Sequence, residues 1–463
     1  MNIECRNRAI LLPYGKNSIF KAICLPPQYF NEQIARTDTK THRVFNLFYV
    51  FSCSLSNTLK NLHLLNLQMR ILQIHNKYLE KGGEDTVVAN ERQLLQKNGN
   101  EVMLCEFDNQ DLEGLSKIRL FCRTVFNRNS YNKVIEYLET FKPDVVHIHN
   151  VYYEASAAIF FALKKKGIPT VMTIHNYRFG CIQSLLFRHN AVCQLCLDKK
   201  NSFYGVKYKC FQDSYLKSLQ LVIINTVNKL VVKHLNPIKK FIFLSEFTKE
   251  MMSPILSLKN TEGVIKPNYV MDYGYATEEN RGQAYLFVGR LNEQKGLKIL
   301  INIFIENKKH LDIIGTGPLE DFVKEAAQVY PNIHYLGYAN NAFIIDKLKK
   351  SKALIVPSIT YEGQPMTILE AFSTGTPVFA SNIKNLDTII GNGKNGFLFD
   401  PKYIDYIIKV FEKFEKSEMS DMYAHARKEY VDKYSPQSNY KQLMAIYETV
   451  IQRKEEVLQL AYS

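Results

Sequence analysis

The chain has 463 residues, 46% of them hydrophobic, and a formal net charge of +14 at pH 7. Such a length and composition fit a globular protein of two or three domains, and the positive excess favours anionic ligands or surroundings. No apolar run reaches the roughly 18 residues of a membrane-spanning helix, and there is no basic–aromatic array or nucleic-acid module, so neither an integral membrane protein nor a nucleic-acid partner is expected.

Residues 1–68 carry eight Lys/Arg against three Asp/Glu and differ in character from the rest of the chain. They read as a poorly ordered extension, or as a stretch upstream of a true start at Met69. Their apolar segment, Val44 to Val50, is too short to cross a bilayer and too far in for a signal-peptide core. From Met69 the pattern alternates strand and helix, the signature of a parallel sheet covered on both faces. The spacing predicts a strand at Arg70–His75, a tight turn at Gly82-Gly83, a helix at Thr86–Lys97 and a strand at Glu101–Cys105. Next come a helix at Tyr131–Thr140, a strand at Val145–His149, a helix at Ala155–Lys165 and a strand at Pro169–Ile174. Ligands of such sheets bind beyond the carboxyl ends of the strands, where Gly82-Gly83, His149-Asn150 and His175-Asn176 fall. The stretch Tyr215–Leu235 is apolar at Leu216, Leu219, Ile223, Val227 and Leu230, a helical spacing. It reads as a core helix, with an interfacial segment as the alternative.

A second unit starts near Lys266-Pro267-Asn268. It predicts strands at Tyr285–Val288, Leu311–Ile314, Ile333–Leu336, Ala353–Val356 and Pro377–Ala380. The helices between them are Leu297–Ile305, Leu319–Tyr330, Ala342–Ser351 and one that stops at Gly375. A terminal helix covers roughly Ser438–Gln452. Gly391-Asn392-Gly393-Lys394-Asn395-Gly396 satisfies G-x-G-x-x-G literally, but it precedes the strand-like Phe397-Leu398-Phe399 and so reads as a plain turn.

The chemistry concentrates in the segment Glu362-Gly363-Gln364-Pro365-Met366-Thr367-Ile368-Leu369-Glu370. Pro365 suits the first helical position, and the free N–H groups of that first turn form an anion site. Two carboxylates flanking a phosphate cradle cannot contact phosphate, but they can accept hydrogen bonds from hydroxyls on either side of it. A nucleotide sugar has that shape. Arg290 and Lys295 leave the carboxyl end of another strand together, suited to a diphosphate as a fork and a point charge. Gly315-Thr316-Gly317 ends a further strand in a turn where backbone can approach a ligand.

Together these segments resemble the retaining glycosyltransferases of family 4, which have the α/β GT-B fold of two Rossmann-like lobes around an interdomain cleft. The resemblance runs from about Met69 to the C-terminus and is more specific in the second half. It implies an N-terminal acceptor lobe at 69–266, a nucleotide-sugar lobe at 267–435, and a terminal helix, 436–463, that crosses back to the first lobe. It implies Glu362 on the donor sugar, Glu370 on the ribose, and Arg290 and Lys295 on the diphosphate in place of a catalytic metal. Backbone at Gln364, Pro365, Met366 and Thr367 and at Gly82-Gly83 would line the phosphates, and Gly315 and Gly337 the nucleotide. His175 would meet the reacting centre, with His149 second and Asn176 and Arg178 orienting a ligand. Retention would need no dedicated nucleophile. The expected partners are a nucleotide-sugar donor and a glycan or lipid-linked acceptor, in the cytoplasm, with peripheral contact at the inner face of the membrane. An epimerase or phosphorylase of the same fold, or a non-catalytic carbohydrate-binding subunit, are the other readings.

Four cysteines remain. Cys181, Cys193, Cys196 and Cys210 place a C-x-x-C with one thiol 12 residues before it and another 14 after, which resembles a four-thiolate structural zinc site. Incidental buried thiols are the alternative.

Overall fold

The computed structural model describes residues 8–14, 19–25, 68–78, 82–400, 404–416 and 419–462, with side chains placed in 68–78, 82–400, 407–416 and 419–452. It divides into two units, Met1–Gln68 and Met69–Ser463. In the first, β1 (Arg8–Tyr14) and β2 (Ile19–Leu25) pair antiparallel, Arg8 opposite Leu25 and Tyr14 opposite Ile19. Composition did not suggest that hairpin, and Val44 to Val50 lies outside the described residues.

The second unit holds two Rossmann-like lobes. In the first lobe β3 (Arg70–Lys77), β4 (Glu101–Asp108), β5 (Val145–Ile148) and β6 (Thr170–Ile174) precede a small hairpin, β7 (Phe187–Arg188) and β8 (Ala191–Val192). Then come β9 (Lys240–Phe243) and β10 (Gly263–Ile265). The parallel sheet runs β10-β9-β6-β5-β3-β4. Its central strands are buried along their length, save the two end residues of β3, as expected when helices cover both faces. One face packs Ile74, Ile148, Met172 and Phe243 among helices. The other packs Ile71, Val145, Val171 and Ile242 against Leu443, Met444, Tyr447 and Val450 of the helix Pro436–Tyr462, so the end of the chain completes the core of the first lobe.

The second lobe contains β11 (Tyr285–Val288), β12 (Leu311–Ile314), β13 (Ile333–Tyr335), β14 (Leu354–Val356), β15 (Val378–Ser381) and β16 (Gly396–Phe399). They form a parallel sheet in the order β13-β12-β11-β14-β15-β16. The strand order turns back between β3 and β5 in one lobe and between β11 and β14 in the other. Ligands of open α/β sheets bind at such points. Gly391–Gly396 is a turn, closed by Lys394 N–H to Gly391 O at 2.7 Å and Gly393 N–H to Gly396 O at 2.8 Å.

Two sequence expectations shift. Pro365 is not the first helical residue: its backbone is extended (φ −63°, ψ 118°), and the helix begins at Met366. The helix Tyr215–Leu235 has its expected ends but buries Leu221, Val222, Ile224 and Val232. The stripe from Leu216 to Leu230 lies on its half-exposed side, with Leu216 79% and Leu230 49% exposed. Leucine and valine occur around most of that helix, so spacing alone could not choose the face.

Candidate active site

At the carboxyl ends of β11, β12 and β13 three glycine turns meet. Gly315 N–H donates to Gly337 O at 2.9 Å, and Gly289 N–H to Ile314 O at 3.1 Å. Gly315 has φ +143°, and a Cβ there would stand 1.9 Å from the Gly289 carbonyl oxygen. No other residue type fits that approach. Gly296 plays a similar part on the other side of β11, where a Cβ would lie 2.0 Å from Pro357 O. Ile359 N–H donates to Gln294 O at 2.9 Å. The turn carrying Arg290 and Lys295 is thereby fastened to the loop ahead of Glu362.

That fastening brings Lys295 Nζ to 2.5 Å from Glu362 Oε1, which also accepts from Ser358 Oγ. The residues expected at the diphosphate and at the sugar are therefore neighbours. Arg290 is exposed. Glu370 accepts from Asn341 Nδ2 at 2.9 Å, and burial raises its carboxyl above the usual range. Gln364 is buried and Gln364 Oε1 accepts from Asn268 N–H at 2.6 Å, so its side chain anchors the linker between the lobes. Met366 and Thr367 open the helix, and His334, in the middle of β13 and short of its carboxyl end, is held by Asp312 at 2.9 Å.

In the first lobe Gly82 caps the helix Gly83–Lys97, but its N–H donates to Asp85 Oδ2 at 2.8 Å. Glycine has no side chain to return the bond, so this is half of a capping box, and in this structure the N–H expected among the phosphate donors is held by Asp85, an acidic residue three positions after the cap. Asp85 Oδ1 in turn meets His75 Nε2 at 2.8 Å. Beside it Glu84 is buried next to Tyr78, Asn176 and Arg178, and burial pushes its carboxyl up to about 8. The Arg178 guanidinium lies over the rings of Tyr78, Tyr152 and Tyr153 and donates to Tyr153 Oη at 2.6 Å.

His175, half-exposed past β6, stacks on His149 with ring centroids 5.4 Å apart and Nε2 3.1 Å from His149 Nδ1. Burial lowers both imidazoles, His149 to about 3. His149 leads inward to a polar cluster. Its Nε2 is 3.3 Å from Glu91 Oε1, which is also 2.9 Å from His147 Nδ1 and accepts from Gln73 Nε2 at 3.1 Å. Lys266 Nζ lies 3.2 Å from both Glu91 Oε2 and Asn439 Oδ1. Burial opposes ionisation of Glu91, but its neighbours His147, Lys266 and His149 outweigh it and hold the carboxyl well below its usual range.

Glu91, His147 and His149 are, among the described residues, a trio whose ligand atoms fall within 4.8 Å of one another. The Lys266 ammonium already compensates that carboxylate, which disfavours a cation there. Glu91 escaped the sequence reading because a helical glutamate is ordinarily solvated. The available signal was Gln73 and His147 inside otherwise apolar strands, paired in register across β3 and β5.

The lobes meet at this site. A Cβ on Gly363 would stand 3.0 Å from His175 O, and Phe247 packs on Tyr361 at 4.7 Å.

Comparison with known proteins agrees with this architecture. Residues 81–260 match the family model described as Glycosyltransferase Family 4, and residues 277–433 the one described as Glycosyl transferases group 1. A 41.2 kDa protein of the cps region of Klebsiella pneumoniae is 25% identical over 73% of this chain and 88% of its own length. An Escherichia coli UDP-Gal:alpha-D-GlcNAc-diphosphoundecaprenol alpha-1,3-galactosyltransferase is 35% identical over 27% of this chain and 34% of its own. Elsewhere the chain spans about half the length of the first curated relatives it matches. Among solved structures, a Rickettsia africae glycosyltransferase superposes with TM-score 0.59 at 15% identity, covering 83% of this chain and 99% of its own. Anabaena HepE in complex with UDP gives 0.54 at 15% identity, covering 84% and 100%. With both models matched in chain order, one on each lobe, the chain belongs to the group 1, family 4 glycosyltransferases of GT-B fold.

Proposed function

We propose that the chain transfers a sugar, with retention of anomeric configuration, from a nucleotide-diphosphate sugar to a glycan or lipid-linked acceptor in polysaccharide or glycoconjugate biosynthesis. The observation that carries this reading is the Lys295–Glu362 pair beside the glycine turns of one lobe, facing His175 of the other. Lys295 and Arg290 neutralise the charge that develops on the departing diphosphate, a role a metal fills elsewhere. Glu362, released from Lys295 as the phosphates take over the ammonium, accepts from the sugar hydroxyls. Glu370 accepts from the ribose. His175, neutral at pH 7, has Nε2 engaged by His149 and offers Nδ1 to the donor sugar. The leaving phosphate oxygen takes the acceptor's proton, so no protein nucleophile is assigned. The E. coli relative, named for UDP-Gal and a diphosphoundecaprenol acceptor, and HepE, solved in complex with UDP, support a nucleotide-sugar donor.

A lipid-linked acceptor fits the outer face of the first lobe. The helix Lys117–Val125 exposes Ile118 (78%) and Phe121 beside Lys117 and Arg119, and it packs on the helix whose Leu216 is exposed. Apolar and basic side chains side by side suit an anionic membrane surface. No described helix is long and apolar enough to cross a membrane.

The test is a thermal-shift panel of UDP-, GDP- and ADP-sugars, with NMR of the product linkage as the second step. One donor should raise the melting temperature by mass action, and the product should keep the donor's configuration. Conversion of the donor sugar without acceptor would instead mark an epimerase. Flotation with anionic liposomes at low salt tests the membrane face; absence of binding would remove it.

A further inference from the structure

We propose that Cys181, Cys193, Cys196 and Cys210 bind one structural zinc ion, and that this ion fixes an insert whose tip holds the loop carrying Glu362. The segment from Cys181 to Asp213 has little regular structure of its own: a two-residue hairpin pair and two short helices, Leu195–Asp198 and Phe203–Lys207. Eight of the fourteen described non-glycine residues with positive φ lie in it, among them Leu186, His189 and Lys200. A backbone that strained persists only when something over-determines it.

The fold packs together the segments that carry the four thiols. A Cβ on Gly180 would touch Leu197 at 3.0 Å and one on Gly205 would touch Ile182 at 2.7 Å, so both neighbours of Cys181 pack against the segment around Cys196 and Gly205. Cys210 N–H donates to Gly205 O at 2.9 Å, and Cys193 N–H to Leu186 O at 2.7 Å. No three of the sulfurs lie within 4.8 Å of one another, so binding draws the loops together. All four are thiols in a chain with C-x-x-C at its centre, and four thiolates give zinc a closed tetrahedral site with no place for water.

The insert also reaches the other lobe. Gln194, inside the C-x-x-C, donates from Nε2 to Tyr361 Oη at 2.5 Å, and Thr360 Oγ1 donates to Leu185 O at 3.1 Å. Tyr361 and Thr360 immediately precede Glu362. A cleft of about 510 Å³ runs between the insert, at Gln183, Arg188 and Cys210, and Gln294 beside Lys295. The ion therefore fixes one wall of the cleft and the position of the glutamate loop. The zinc site itself stands whatever the transferred sugar proves to be.

Elemental analysis of the full-length protein, purified under reducing conditions without chelator, should find about one zinc per chain. Cys193→Ser with Cys196→Ser should lose it and become protease-sensitive between residues 181 and 213, while Cys122→Ser keeps it. Should the double variant not fold, cobalt(II) exchanged into the wild type reads the same site, and tetrathiolate absorption bands are expected. Zinc-free protein that takes up no cobalt and whose four thiols react freely under native conditions would overturn the proposal, as would disulfides among them in non-reducing peptide maps.

Discussion

Replacing Lys266 by Met tests the buried polar cluster beneath His175. Lys266 is 3% exposed and Glu91 2%, and the ammonium lies 3.2 Å from the carboxylate. Removal of one partner from such a pair leaves an uncompensated buried charge, which costs about 3–5 kcal/mol. Two features adjust that figure. Gln73 Nε2 still donates to Glu91 at 3.1 Å, which keeps the loss toward the lower end. The imidazole of His149 lies 3.3 Å from the same carboxylate, and proton uptake by it would restore a counter-charge. Acid favours that uptake, so the loss should be smaller at pH 5.5 than at pH 8. Lys266→Met with Glu91→Gln removes both charges and should be more stable than Lys266→Met alone, because no buried ion is left unpaired. Urea unfolding of the three proteins at both pH values measures this, with the midpoint shift converted through the common slope. A single-variant loss below about 1 kcal/mol that is the same at both pH values would refute the reasoning, as would additive losses in the double variant.

Lys295→Ala should lower turnover about 100-fold or more, the scale of a lost electrostatic contact to a departing group; a kcat within threefold of the parent would remove Lys295 from the donor site. Gly315→Ala forces a Cβ against the Gly289 carbonyl at a φ of +143°, so strain of about 1–3 kcal/mol and a displaced donor turn are expected; unchanged melting temperature and donor KM would contradict the close approach. Glu84 has its folded value raised to about 8 from 4.5 by burial, so its contribution to stability is full below 4.5 and is lost as pH rises through 8; Glu84→Gln should flatten that alkaline decline, and parallel curves would place the carboxyl in water. His149 is lowered to about 3 by burial, so its contribution is full above 6.5 and lost as pH falls toward 3; His149→Phe should narrow the acid-side loss, and an unchanged pH–stability curve would count against a buried neutral imidazole.

The strands of the second lobe were readable to the residue at Tyr285–Val288 and Leu311–Ile314, because short apolar runs there end in glycine turns. The pairing of Lys295 with Glu362 was not readable: it depends on Gly296 lying against Pro357, a contact between segments about 60 residues apart in sequence. The helix Lys117–Val125 was missed since it exposes apolar residues instead of burying them. Glu91 and Lys266 were missed for the converse reason, as charged residues whose burial only three-dimensional pairing can sustain. At Gly82 the sequence carried the signal for the N–H partner, in Asp85 three residues on.

The helix Pro436–Tyr462 carries a consequence for biosynthesis. Tyr447 Oη reaches His147 at 2.8 Å and Asn439 Nδ2 donates to Pro267 O at 2.7 Å. The first lobe is thus a discontinuous domain whose last structural piece leaves the ribosome only after the whole second lobe has been made. During synthesis the sheet face around Ile71, Val145 and Val171 stays uncovered while some 170 residues of the other lobe emerge. A nascent chain stalled before Pro436 presents that apolar face to chaperones, because the helix that covers it has not yet been made.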